Sequence, residues 1–305
     1  MSPPSSASGG ETRLALSAGL GCYFIWGFMP LVFQAVARHG PGAWEMTAQR
    51  TLWSVPLAAL FVAMARQWRA TAAVLRTPKV LGLLVLSAVL IATNWLIFIW
   101  AVNHGRVLET ALGYYINPLI NMAAGALLFR ERIDRLGLAA ICLAVAGVAL
   151  QALAIGQLPL VSIVLALSFG AYGVVRKRVA ADAQTGFLVE CSLLAGPALA
   201  YVLWLEHAGR GHFLASPAAG AWLMFGGLIT AVPLVLFAWA ARRIPLSAMG
   251  FLQFIAPTIG FLTGVAQGEP LTRTRVLSFV FIWAGAALFI YGAWRRTRAL
   301  PAQAA

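Results

Sequence analysis

The sequence predicts an all-α membrane protein with ten membrane-spanning helices. Of its 305 residues, 61% are hydrophobic and 10% are charged, whereas roughly a quarter of the residues of a soluble domain are charged. The apolar residues are continuous over about 18 or more positions, which favours helices over the alternating strands of a membrane β-barrel. Because one crossing takes about 20 residues, the chain has room for about ten crossings and for no separate catalytic domain.

Short polar segments divide the chain into predicted spans and two predicted tails. Residues 1–13 are rich in Ser, Pro and Gly and are expected to form a disordered tail without a signal peptide. The spans form two five-helix halves, 14–154 and 155–294, and a second tail covers 295–305. The predicted spans are 14–36, 44–65, 80–101, 108–129, 137–154, 158–175, 185–206, 220–241, 246–267 and 276–294.

Basic residues are distributed unevenly between the two sides of these spans. Sixteen Lys and Arg residues lie on the side of both termini and five on the opposite side. Since Lys and Arg accumulate in cytoplasmic loops, both termini are expected in the cytoplasm. The same distribution accounts for the net charge of +13 without a nucleic acid as partner.

A sequence pattern recurs in the two halves. Residues 98–101 read FIWA, and about 138 residues later 237–240 read FAWA, while Pro118 in the first half corresponds to Pro257 in the second. Each half has an odd number of crossings, so the second half must be inverted relative to the first. Inverted repeats are an architecture of secondary transporters, with the substrate site near the middle of the membrane.

Two longer segments carry a resemblance to a known family. Residues 94–103 read NWLIFIWAVN and residues 108–121 read LETALGYYINPLIN. These segments strongly resemble the RarD proteins of the EamA group in the drug/metabolite transporter superfamily. The resemblance extends over nearly the whole chain and implies a bacterial inner-membrane exporter of small metabolites or drugs. It also implies a cavity lined by the first, third, fourth, sixth, eighth and ninth helices. One departure is Gln49, which stands where the family is associated with a His before Arg50.

Two charged residues lie more than one helical turn inside predicted spans, Arg50 in the second and Glu190 in the seventh. A charged side chain at the centre of a bilayer costs roughly 2.5 to 3.5 kcal/mol, so each is expected to contact a partner or a wet cavity. The alternatives are a structural ion pair and a side chain that reaches the membrane surface. Glu45 precedes Arg50 by five residues and is poorly placed to pair with it. Glu190 and Glu109 are the candidates for proton coupling.

The fourth span carries a polar ridge. Pro118 is expected to kink this helix and to leave a carbonyl without a partner, and Pro257 and Gln253 repeat the arrangement in the second half. The alternative is that these amides join helices as structural hydrogen bonds. The ridge repeats every fourth residue and consists of Glu109, Gly113, Asn117 and Asn121.

Further residues are assigned to the cavity or to helix packing. Asn94, Trp100 and Tyr114 are predicted cavity residues. The reason for Trp100 and Tyr114 is that aromatic rings stack on a flat or apolar solute, and a Trp packed between helices or facing lipid is the alternative. A ridge of small residues on the ninth span is expected to let a neighbouring helix approach closely. It consists of Gly260, Gly264 and Gly268.

The sequence predicts a transporter and not an enzyme. It contains neither HExxH nor GxSxG, and its three cysteines lie far apart without a metal-binding pattern, so no metal and no cofactor are expected. The absence of a P-loop motif argues against ATP as the energy source. A non-transporting membrane sensor or assembly partner stays the alternative. The expected partners are a small-molecule substrate and the lipid bilayer, and the oligomeric state stays open between monomer and homodimer.

Overall fold

The computed structural model describes residues 9–129, 135–155, 158–241 and 252–299. All regular secondary structure in these ranges is helical, which confirms the predicted all-α class. The helices are α1 Gly9–Ala37, α2 Ala43–Met64, α3 Trp68–Leu75, α4 Pro78–Asn103, α5 Val107–Phe129, α6 Arg135–Ile155, α7 Leu160–Arg178, α8 Ala183–His207, α9 Pro217–Ala241, α10 Ile255–Ala266 and α11 Arg273–Ala299.

Several of these helices have the length and composition of membrane spans. Among the described residues, five stretches are long and apolar enough to cross a bilayer: Arg13–Ala37, Pro78–Asn103, Ala183–His207, Pro217–Phe237 and Arg273–Gly292. Large apolar side chains also cover the outside of the bundle, as the exposure of Leu86 and Leu203 illustrates. In water such an exposed apolar surface would favour aggregation, whereas in a membrane it contacts the lipid chains.

The helices depart from the predicted spans at three places. Helix α1 begins at Gly9, inside the tail that was predicted to be disordered, and α11 continues to Ala299, inside the second predicted tail. Helix α3 lies in a predicted loop. Its sequence WRATAAVL contains good helix formers, and its buried Val74 packs in a cluster with Leu84 and Val179. The helix is too short and too polar at its start to have been counted as a span.

Helix packing surrounds a central space. Helix α1 packs on α9 and α10, α2 on α8 and α9, and α7 on α4 and α5, while α6 and α11 pair with each other beside them. Small residues allow some of these close approaches. A Cβ atom at Gly264 of α10 would lie 2.8 Å from Cγ of Leu108 on α5, and one at Gly260 would contact Ala111. The predicted packing role of these two glycines is therefore confirmed, whereas Gly268 lies in the turn after α10 with a φ of +79°.

The bundle has two ends, defined by their turns. At the α1–α2 end lie residues 38–42, 104–106, 208–216 and 267–272, which side-chain hydrogen bonds and an ion pair link to one another and to neighbouring helix ends. At the α7–α8 end lie residues 65–67 and 179–182, where Gln67 donates a hydrogen bond to Asp182 at 3.0 Å. The sequence predicts opposite sides of the membrane for these two ends.

Candidate functional site

A cavity of about 600 Å³ lies in the middle of the bundle. Its walls are mainly apolar and rich in aromatic rings, and the lining continues to Ala181, Ala183 and Gln184 at the α7–α8 end. Toward the α1–α2 end the lining residues Thr110 and Ala111 are buried. Beyond them, hydrogen bonds of Gln34, Gln267 and Glu269 join the neighbouring helix ends, and we call this the closed end. The aromatic lining residues are Tyr23, Trp26, Phe61, Trp95, Phe98, Tyr114, Phe169, Tyr172, Phe187 and Phe237.

Helices α2 and α8 line the cavity in addition to the six helices that the resemblance implied. Helices α1, α4, α5, α7, α9 and α10 correspond to the predicted set. Helix α2 contributes Arg50 and α8 contributes Glu190, the two charged residues that the sequence singled out inside apolar spans. The structure thus brings both of these residues to one cavity.

Arg50 is held by aromatic rings and a hydroxyl group. Its guanidinium carbon lies 4.3 Å from the ring centre of Trp95 on α4 and 5.1 Å from that of Phe33 on α1. Its Nε donates a hydrogen bond of 3.0 Å to Oγ1 of Thr230 on α9. A desolvated cation over an aromatic face gains about 2 kcal/mol, so the two rings replace part of the lost hydration.

The charge of Arg50 has no carboxylate partner among the described residues. The side chain is only 2% exposed, and its Nη1 is buried without a hydrogen-bond partner in the described part of the chain. The predicted alternatives for Arg50, a structural ion pair or a side chain that reaches the membrane surface, therefore do not describe its position. It is a buried cation at the wall of a cavity.

Glu190 lies in a polar cluster on the same cavity. Ser87 of α4 donates a hydrogen bond of 2.5 Å to its Oε1, and the hydroxyl of Tyr172 on α7 donates one of 3.3 Å to its Oε2. Nη1 of Arg176 lies 3.6 Å from Oε1. A side chain at Gly186 would collide with the guanidinium of Arg176, so this glycine makes room for the cation. Glu190 thus forms the ion pair that sequence reasoning considered as an alternative.

Asn94 positions Tyr114 at the cavity wall. The amide nitrogen of Asn94 donates hydrogen bonds to the carbonyl of Leu165 at 3.0 Å and to Oγ of Ser168 at 3.1 Å, both on α7. Its Oδ1 accepts a hydrogen bond of 2.9 Å from the Tyr114 hydroxyl. Because the amide is fully engaged, Asn94 fixes the neighbouring ring.

Three further predicted residues line the cavity. Asn117 of α5 is buried, and its Oδ1 has no partner among the described residues. Gln253 lies in the turn before α10, and Pro257 is buried in the first turns of that helix. Asn117 therefore supplies a polar atom that an occupant of the cavity can satisfy.

Two predicted residues lie elsewhere, near the α1–α2 end. Trp100, in the last turn of α4, stacks on His104 with a distance of 4.5 Å between ring centres and does not belong to the described cavity lining. Glu109 forms a two-point ion pair with Arg106, at 2.7 and 2.8 Å, in the first turn of α5. Both residues are close in sequence to the lining residues Phe98 and Thr110, but their side chains contact His104 and Arg106 at the helix ends instead.

Glu45 is also separated from the cavity. Its two carboxylate oxygens accept hydrogen bonds from the backbone N–H of His212 at 2.7 Å and from Nδ1 of the same residue at 2.8 Å. As expected from the sequence spacing, Glu45 does not pair with Arg50. It joins the start of α2 to the α8–α9 turn. The side chains of Pro118 and Asn121 lie outside the described part of the structure.

The closed end contains residues that sequence reasoning missed. The carboxylate of Glu269 accepts hydrogen bonds from the backbone N–H groups of Val107, at 2.5 Å, and Leu108, at 3.0 Å, the first residues of α5. Burial raises the pKa of Glu269, and these two N–H groups partly counteract that effect. The free N–H groups at the start of a helix are the one general signal that an acceptor such as a carboxylate lies nearby. They do not identify the residue that supplies it, and here Glu269 is 161 residues from Leu108.

Comparisons with known proteins identify relatives that match most of this chain. The model of the EamA-like transporter family matches residues 13–153. Protein RarD of Salmonella typhi is 40% identical over 285 residues, 93% of this chain and 96% of that protein. A Vibrio cholerae protein named as an uncharacterized transporter is 37% identical over 285 residues, 92% of each chain. A crystal structure with 19% identity covers 92% of this chain at a TM-score of 0.59 and shows the fold alone.

Apolar helices that enclose a cavity with buried charges define the class of multi-pass membrane transporters. The family model and the Vibrio cholerae relative, which are both named as transporters, support the same class. The chain belongs to the EamA-like transporter family, as the resemblance to RarD proteins predicted.

Proposed function

We propose that the protein is a secondary transporter that exports a small amphiphilic metabolite or drug across the bacterial inner membrane. The observation that carries the proposal is the central cavity, which eight helices line with aromatic rings, buried amides and the charges of Arg50, Arg176 and Glu190. The chain has no P-loop motif, so an ion gradient, the membrane potential or the gradient of the substrate drives it.

The ten-helix inverted architecture is part of this proposal. If α1, α2, α4, α5 and α6 are exchanged for α7, α8, α9, α10 and α11, the most extensive packing pairs exchange as well. The pairs α1–α9, α1–α10 and α2–α9 become α7–α4, α7–α5 and α8–α4, and the pairs α2–α8, α5–α10 and α6–α11 become themselves. This pattern supports two related halves around the cavity.

The two ends support alternating access. The cavity lining reaches the α7–α8 end, which the distribution of basic residues assigns to the cytoplasm. Hydrogen bonds of Gln34, Gln267 and Glu269 join the helices at the α1–α2 end. A substrate would enter from the cytoplasm and leave once these contacts open.

The test measures solutes released by growing cells. Cells that produce the intact chain, an Asn117→Ala variant or a Thr93→Ala variant at equal levels are compared with a vector control, and the medium is analysed by mass spectrometry. Thr93 is the matched control because it is exposed on α4 and its hydroxyl donates to the carbonyl of Val89 in its own helix. We expect one solute class to accumulate with the intact chain and with Thr93→Ala, and less with Asn117→Ala.

Equal media for all four strains across varied nutrients would contradict export. In that case the sensor or assembly-partner function becomes the better description of the chain.

A further inference from the structure

We infer that the transported solute is an organic anion, with an acidic group that binds Arg50 and a planar apolar body that fills the aromatic part of the cavity. The inference rests on the proposed function and names the substrate class of the same site. It goes beyond the amphiphilic solute that the composition of the cavity suggests.

The charge balance of the cavity is the first argument. Among the described lining residues, Arg50 and Arg176 are cationic and Glu190 is anionic. Glu190 pairs with Arg176 at 3.6 Å and is satisfied further by Ser87 and Tyr172. One positive charge, that of Arg50, is therefore left without a carboxylate in a wall of low polarity. An anion in the cavity removes this imbalance.

The geometry of Arg50 gives the second argument. Aromatic rings of Phe33 and Trp95 occupy the neighbourhood of the guanidinium, and its Nε is bonded to Thr230. The group is thereby held in place, while its Nη1 has no partner among the described residues. A guanidinium that is already oriented and carries a free N–H group is suited to bind a carboxylate or another acidic group.

The lining around Arg50 gives the third argument. Trp95, which contacts the guanidinium, is one of ten aromatic residues that line the cavity. Aromatic rings at a cavity wall bind a planar solute by stacking, and stacking requires no further charged group on the solute. A solute that matches the cavity therefore combines one acidic group with an apolar, planar remainder.

The direction of export is consistent with such a solute. The cytoplasm is electrically negative relative to the outside, so the membrane potential itself drives an anion outward. An anion that the membrane potential drives outward needs no proton-binding residue beside Arg50. The preceding residue, Gln49, has a side chain that does not ionise, which agrees with this expectation.

The test uses three probes that share one naphthalene body. They are 2-naphthylacetate, which is an anion, 2-naphthylacetamide, which is neutral, and 2-(2-naphthyl)ethylamine, which is a cation at neutral pH. Binding to the full-length chain in lipid nanodiscs is measured by calorimetry for the intact protein and for Arg50→Gln, Arg50→Lys and Arg69→Gln. Arg69 is the matched control because it is an exposed cation on α3, outside the cavity.

We expect the acid to bind about tenfold or more tightly than the amide, and the amine to bind most weakly. Arg50→Gln should abolish the preference for the acid, whereas Arg50→Lys should keep the order of the probes with weaker binding, because it retains the charge and loses the planar group. Arg69→Gln should behave like the intact chain. The order of the three probes does not depend on the amount of folded protein, and a merely structural role of Arg50 would leave it unchanged.

Other outcomes overturn the inference. It is wrong if the amide or the amine binds as tightly as the acid, if Arg50→Gln keeps the preference, or if none of the three probes binds. Should Arg50→Gln not fold, Arg50→Lys decides, since an unchanged affinity for the acid would also overturn it. Each of these results leaves the export proposal standing, because that proposal is tested by the solutes released from cells.

Discussion

Gln34 and Gln267 exchange two hydrogen bonds across the closed end of the cavity. Nε2 of Gln34 on α1 donates to Oε1 of Gln267 at 3.0 Å, and Nε2 of Gln267 donates back to Oε1 of Gln34 at 2.6 Å. Gln34 also donates to the carbonyl of Val102 at 3.2 Å, near the end of α4. Two side chains thus connect α1, α4 and the residue after α10.

Removing this connection should open the α1–α2 end. Gln34→Ala loses three hydrogen bonds, each worth about 1 kcal/mol net, so the open form should gain about tenfold or more in population. The measurement is the labelling rate of a cysteine introduced at buried Thr110, with a membrane-impermeant maleimide, after exposed Cys142 is replaced by Ser.

Gln67→Ala is the control for this experiment, because Gln67 forms its side-chain hydrogen bonds with Asp182 and Thr185 at the opposite end. Equal labelling rates for the Gln34→Ala and Gln67→Ala proteins would show that the glutamine pair does not hold the end closed.

Replacing Glu190 should change the response of transport to an imposed pH gradient. If protons couple, a carboxylate in the cavity must bind and release them, and Glu190 contacts both Tyr172 and Arg176 there. Transport by Glu190→Gln in proteoliposomes should then no longer respond to the gradient. Glu206→Gln, in the last turns of the same helix, serves as control. A response that persists in Glu190→Gln removes this residue from the coupling.

The stability of the protein should depend on the ionisation of Glu269. Burial raises the pKa of this carboxyl group above its ordinary value of 4.5 in the folded protein, so the folded state keeps its proton to higher pH than the unfolded state. The resulting stabilisation is complete below pH 4.5 and is lost as the pH rises through the folded-state pKa. The melting temperature of the intact chain should therefore fall, relative to Glu269→Gln, as the pH increases from 4.5.

Parallel melting curves for the intact chain and Glu269→Gln across this pH range would show that the carboxyl group is not perturbed. A relative rise of the intact chain with pH would instead mean that the N–H groups of Val107 and Leu108 outweigh burial.

Two glycines offer a matched pair of substitutions that differ in their surroundings. A Cβ atom at Gly264 would press on Leu108, whereas one at Gly82 of α4 meets nothing within 4 Å. Gly264→Ala should destabilise the protein by about 1 to 3 kcal/mol through overpacking. Gly82→Ala should be neutral or stabilise by up to about 1 kcal/mol through helix propensity. Unfolding in detergent measures both, and equal effects would contradict the close approach of α5 and α10.

The sequence located the charged residues of the cavity because a charge inside an apolar span is rare. Arg50 and Glu190 stood out for this reason, and both line the cavity. Helical spacing also led to Asn117, which lies on one face with Glu109. It did not reveal that Glu109 belongs to the helix end and binds Arg106 there. Depth along a helix depends on where the helix begins in space, which a repeating pattern does not record.

Partners across the bundle were beyond the reach of sequence patterns. The contacts of Glu45 with His212 and of Glu269 with Leu108 join residues 167 and 161 positions apart. The packing role of Gly264 was predictable, because small residues at helical spacing indicate a close approach, but its neighbour was not. Long-range pairs follow from the arrangement of all helices together.

The position of Arg50 links three helices to the contents of the cavity. Through Phe33, Trp95 and Thr230 its single guanidinium contacts α1, α4 and α9, although the residue belongs to α2. A movement of any one of these helices against the others alters the stacking or the hydrogen bond, and a displacement of the guanidinium loosens all three contacts together. A solute bound at Arg50 would therefore act on the same atoms that hold α2 to α1, α4 and α9.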